Sequence, residues 1–157
     1  MRRIIGLALV SGALVLPSQA TAAGENTIEV STQGTAAQAS AGCRSVNVAR
    51  IGRSALGFVV YKFHQVKRWC WSYPRVTSVK TSTYVSNVDP NWDYKGVIAS
   101  SGSFFRWCCG DARSGHRTFR QGRFDNCIPW IGCIRREYPW VRIWVRGNGT
   151  YSYDTGL

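Results

Sequence analysis

Between Tyr138 and Tyr153 two kinds of side chain alternate one for one, and that pattern restricts the fold of this chain more than any other stretch. Successive residues of a strand point to opposite faces, so Val141, Ile143 and Val145 share one face while Trp140, Arg142, Trp144 and Arg146 share the other. Gly147-Asn148-Gly149-Thr150 then supplies a turn, and Tyr151-Ser152-Tyr153 a returning strand. The aliphatic face suits a core. The other face interleaves two indoles with two guanidiniums and is the first place to look for a ligand.

Upstream, from Leu56 to Trp71, β-branched and aromatic residues run on without a helix cap. This reads as one long strand with apolar matter on both sides: Leu56, Phe58, Val60, Val66 and Cys70 on one, Val59, Tyr61, Phe63, Trp69 and Trp71 on the other. Ser72-Tyr73-Pro74 breaks it, and residues 75–88 read as a half-polar strand facing solvent on one side. Shorter strands are expected at 94–99, 104–107 and 116–124, with loops at 100–103 and 110–115. No window of about 11 residues carries a helical period. The expected fold is all-β: a single disulfide-linked antiparallel β-sandwich of about seven strands. A partly closed β-barrel is the alternative.

Residues 1–23 combine Arg2 and Arg3, an apolar run from Ile4 to Leu16 and a small-residue site at Ala20-Thr21-Ala22, the layout of a secretory signal peptide. The apolar run is shorter than the roughly 20 residues a spanning helix needs, so a secreted product with no stable membrane anchor is expected. Residues 24–42 are rich in Thr, Ala, Gln, Ser and Gly, carry Glu25 and Glu29 and no basic residue, and read as a flexible linker or short pro-segment in which Ile28 and Val30 could form one local strand but nothing repeats to make a core. Residues 43–157 form the expected domain and hold 18 basic and 6 acidic groups.

All six cysteines fall in that domain, and export favours disulfides. Adjacent cysteines rarely bond to each other, so Cys108 and Cys109 are expected to take separate partners. If Cys127 and Cys133 close a small loop, Cys43 and Cys70 take Cys108 and Cys109 in one of two orders. The spacings match no zinc motif, and neither a metal nor a cofactor is expected.

Trp69-Cys70-Trp71, Gln121-Gly122-Arg123-Phe124-Asp125-Asn126-Cys127, Tyr138-Pro139-Trp140 and Gly147-Asn148-Gly149-Thr150, taken as a set over about Leu56 to Asp154, resemble a group of uncharacterised small secreted all-β proteins of actinobacteria. The resemblance implies a secreted β protein. It carries over no catalytic residue, and Cys108-Cys109 is not part of its pattern.

Trp140, Arg142, Trp144 and Arg146 have the chemistry to stack on sugar rings or bases and to pair with anions. The plain alternative is that another layer covers the indoles while the Arg stems lie over them. A second basic set, Arg113, Arg117, Arg120, Arg123, Arg135 and Arg136, surrounds His116, and Arg117 and Arg123 fall on one strand face with Phe119. It fits an acidic polymer or a plain solvated face. His64 and His116 suggest a ribonuclease-like acid–base pair, and Asp89, Asp93, Asp111, Asp125, Glu137 and Asp154 are the only carboxylates from which a glycosidase pair could come.

The leading expectation is a non-enzymatic binding protein for an anionic or glycan component of a cell envelope, with Arg117, Arg120 and Arg123 assisting the Trp/Arg face. Nucleic acid is the less favoured partner. A cationic toxin or antimicrobial protein is the runner-up, ahead of a small exported hydrolase.

Overall fold

The structure, a computed structural model, describes residues 27–37 and 39–157; the expected signal peptide lies outside the described residues. These contain nine strands and no helix: β1 (Ile28–Gly34), β2 (Ala41–Arg53), β3 (Val59–Ser72), β4 (Arg75–Ser86), β5 (Trp92–Phe105), β6 (Gly115–Ile128), β7 (Gly132–Glu137), β8 (Trp140–Arg146) and β9 (Tyr151–Gly156). One antiparallel sheet runs β1-β2-β3-β4 and the other β5-β6-β8-β9, with β7 also paired to β6. The two sheets are packed as a sandwich and do not close into a barrel.

The strand β6 is the spine of the second sheet. β8 lies along its residues 115–121 and β7 along its residues 124–128, so β7 and β8 form one returning strand interrupted at Tyr138-Pro139. Proline has no N–H to give to a ladder, but its carbonyl still accepts from Gly122 N at 2.9 Å, which carries the pairing across the break.

Between the sheets, Val141, Ile143 and Val145 of β8 are wholly buried, as their alternation requires. They meet the odd-numbered face of β3, where Tyr61, Phe63, Gln65, Lys67, Trp69 and Trp71 are all buried. Tyr61 stacks on Phe124 at 3.9 Å between ring centroids, and Trp69 meets Tyr151 edge-on at 6.2 Å.

Lys67 sits in the middle of this apolar layer. Its amine donates to the carbonyls of His116 (2.8 Å) and Ile143 (3.0 Å). Burial, and secondarily the charge of Arg120, pull it down to about 7. A neutral amine has two N–H groups, and two carbonyls are there to receive them.

Four expectations need correction. Part of the stretch read as a linker, Ile28–Gly34, is β1, paired to β2 from Ile28↔Arg50 to Gly34↔Arg44. Its side chains are almost all exposed, so main-chain hydrogen bonds define it, and Ile28 and Val30 alone are too short a period to mark more than a local strand. The expected loop 100–103 lies inside β5, which is one strand with register shifts near Val97 and not two short ones. The long strand starts at Val59, because Ser54–Phe58 forms a turn with Gly57 at φ 84°.

The disulfides are the fourth. Cys127 and Cys133 do close the small loop, but Cys43 bonds Cys70, its register partner across β2 and β3, and Cys108 and Cys109 remain free thiols. Once β2 is in place those two side chains face each other on adjacent strands, which no loop-length argument could see.

Candidate binding face

The outer side of the second sheet is built by three strand registers. Ser103, Arg117, Trp144 and Ser152 stand in one cross-strand row, Ser101, Phe119, Arg142 and Asp154 in the next, and Ala99, Gln121, Trp140 and Gly156 in a third. Trp140 lies against Gly156, where an added Cβ would come within 2.7 Å of the indole. Glycine there lets the ring lie close to the sheet.

Arg142 is at the centre. Its guanidinium is 5.4 Å from the centroid of Phe119, 5.5 Å from Trp140 and 5.6 Å from Trp144, inside the range of cation–π attraction. It makes no hydrogen bond or ion pair among the described residues. Asp154 is opposite in register, but its Oδ1 accepts from the neighbouring Thr155 N at 2.9 Å. Beside Arg142 runs an open cleft of about 390 Å³ lined by Ser101, Ser103, Arg117, Phe119, Arg142 and Trp144. Arg117 Nε donates to Ser103 Oγ at 2.9 Å along its wall.

Trp140 and Trp144 are half-buried. Among the described residues no second layer covers them, and they are not part of the core cluster. Their neighbours on the same face, including the Arg142 stem, take part of their surface and leave the rest open.

The structure brings together only some of the expected residues. Trp140, Arg142, Trp144 and Arg117 share the face. Arg146 is one row away, with its guanidinium over Trp107 at 5.8 Å and bonded to Ser152 Oγ at 3.2 Å. Arg120 alternates to the opposite face and spends a terminal nitrogen on the carbonyls of Ser101 and Phe119. Arg123 is committed to Asp125 through two bonds of 2.9 and 2.7 Å, and Arg136 joins them at 3.1 Å. Those bonds, Arg123's first, hold the Asp125 carboxyl down at about 2. Phe119, Ser101 and Ser103 are members of the site that residue-type reasoning did not single out. The serines hide in a Ser/Gly run that resembles a loop.

The catalytic arrangements find no geometry here. His64 is on the outer face of the first sheet, stacked on Tyr84 at 4.2 Å and bonded to Ser86 Oγ at 2.8 Å, whereas His116 is against the interior with Phe104 at 4.7 Å. A whole sheet stands between them. Burial first, then Lys67 and Arg113, lowers His116 to about 4, so it is neutral at physiological pH.

Asp125 and Glu137 are on neighbouring strands, but Asp125 faces Arg136 in register while Glu137 is bound by the Tyr61 hydroxyl and by Arg135 at 2.5 Å. Burial, and then that Glu137 contact, pushes the Tyr61 phenol far up. Among the described residues no group of three His, Cys, Asp or Glu side chains is placed to hold a metal ion, and no helix is long and apolar enough to cross a membrane. The chain matches no protein-family model, no curated protein and no solved structure.

Proposed function

We propose that this is an exported, non-enzymatic binding protein whose outer sheet face holds an anionic glycan of a cell envelope. The observation that carries the proposal is Arg142: a guanidinium set among three aromatic rings at the rim of an open cleft, without an anionic partner of its own. The flat indoles of Trp144 and Trp140 suit the apolar faces of sugar rings, the Ser101 and Ser103 hydroxyls suit sugar hydroxyls, and Arg142 and Arg117 suit a carboxylate or phosphate substituent. Two disulfides fit an oxidising extracellular compartment, as does the resemblance to small secreted actinobacterial proteins, with which we group the chain as part of this proposal.

Retention on an acidic polysaccharide, a neutral one and single-stranded DNA tests the reading. Binding to the acidic polysaccharide should fall steeply between 50 and 500 mM salt, on the order of tenfold or more. Arg142→Gln should weaken it about tenfold with little change in melting temperature, and Trp144→Ala should weaken it while costing about 1–2 kcal/mol of stability. Equal retention of wild type and Arg142→Gln, or preference for DNA, would sink the proposal.

A further inference from the structure

Strand direction places the Ser54–Phe58 turn, the 87–91 connection and the 129–131 turn at one end of the sandwich, and a shallow cleft lined by Ser54, Asp89, Asn91 and Ile128 joins their bases. The four most exposed large apolar residues of the described chain are all on this end: Trp130, fully exposed at 104%, Leu56 at 83%, Ile131 at 72% and Phe58 at 69%. Across these three loops the only charged residue is Asp89. Exposed apolar patches of this kind mark an interaction surface.

The shape of that surface and its surroundings narrow the partner. Trp130 occupies the third position of the turn Ile128-Pro129-Trp130-Ile131, closed by Ile131 N to Ile128 O at 3.2 Å, with φ at 68°. With proline second, this is the type II form, whose third position favours glycine. A tryptophan there bears a backbone cost and recovers nothing by burial. The Cys127–Cys133 disulfide clamps the base of the turn.

The apolar end is therefore a held-out set of loop tips and not a groove, and its partner must be one that separate protruding side chains can enter. Further along the same hairpin stand Arg135 and Arg136, ion-paired to Glu137 and Asp125 but with side chains still 52% and 51% exposed, on a domain with 18 basic and 6 acidic groups. Two copies, both strongly basic, repel each other, whereas an anionic surface attracts the chain.

We propose that this end inserts Trp130, Ile131, Leu56 and Phe58 into the interface of an anionic lipid bilayer, to which the basic excess of the domain attracts it. Indole is at home where an apolar ring meets a wet boundary, and apolar insertion plus basic charge is the recognised combination for peripheral membrane binding. The site is separate from the sheet face around Arg142 and does not depend on the glycan reading.

The test is co-sedimentation of the exported form, without residues 1–23, with vesicles of phosphatidylcholine alone and of phosphatidylcholine with 30% phosphatidylglycerol, alongside size-exclusion chromatography. Wild type should bind the anionic vesicles at least about tenfold better than the neutral ones, and Trp130→Ser/Ile131→Ser should lose at least about tenfold of that binding. Leu56→Ser/Phe58→Ser, on a different loop, should show the same loss and guards against a folding defect in the first variant. Arg142→Gln should bind vesicles like wild type. Absence of binding by wild type, undiminished binding by both tip variants, or a wild-type dimer that the tip variants dissolve would overturn the proposal, the last by making the end a contact between copies.

Discussion

At the scale of single residues the most consequential position is Lys67, a basic side chain with no exposed surface. Its folded value of about 7 is below the ordinary 10.5, so between those limits the unfolded chain holds a proton that the folded chain does not. Stability should therefore rise with pH across that window, by up to about 1.4 kcal/mol per pH unit from this one group. His116, lowered to about 4, acts in the same sense at lower pH. Urea unfolding from pH 6 to 9 should show the rise, and Lys67→Met should flatten it above pH 7. An equal rise in the variant would mean the amine is charged when folded.

The free pair in the 106–114 loop offers a second residue-scale expectation. Hydrogen bonds from Cys108 and then Tyr73 lower the Cys109 thiol, while Cys108 is raised, first by its bond with Cys109. Alkylation of the folded, unreduced chain should label these two thiols, with Cys109 reacting first, because the thiolate is the reactive form. Mass analysis showing fewer than two labels, or four cysteines outside disulfides, would contradict the pairing.

Among the elements, β1 is the one whose contribution can be isolated. It covers the edge of β2 through seven register positions, and Val30 packs on the core cluster. A chain beginning at Thr35, which keeps all of β2 and the Ala39 and Ser40 contacts, should lose about 1–3 kcal/mol of unfolding free energy relative to one beginning at Thr27. A change below about 0.5 kcal/mol would mean the strand lies on the sheet without stabilising it.

How legible each element is in the sequence follows from what defines it. β8 is legible because its two faces differ in chemistry at every step. In β3 the inner set is visible at Tyr61, Phe63, Trp69 and Trp71, but Gln65 and Lys67 in its middle interrupt the apolar pattern. Their burial depends on partners from the other sheet, Thr118 at 2.7 Å for Gln65 and two carbonyls for Lys67. β1, whose only apolar side chains are Ile28 and Val30, and the Ser/Gly centre of β5 are held mainly by main-chain pairing, and their hydropathy patterns are too short to define them. The binding face was half legible: the Trp/Arg alternation is local, whereas the arrival of Phe119 and Arg117 beside it, and the diversion of Arg123 to Asp125, are facts of register.

On the scale of the whole molecule, one hairpin bears both surfaces. β6 runs from the Arg142 face, at Phe119, to the Trp130 turn, and the return through β7 and β8 brings Arg142 back beside Phe119. Nine residue steps along β6 lead from Phe119 to Ile128, about 30 Å at the rise of an extended chain. The ribbon is thus a ruler: a polysaccharide lodged at Arg142 while Trp130 rests among headgroups would be suspended about 30 Å above them, at a height set by strand length.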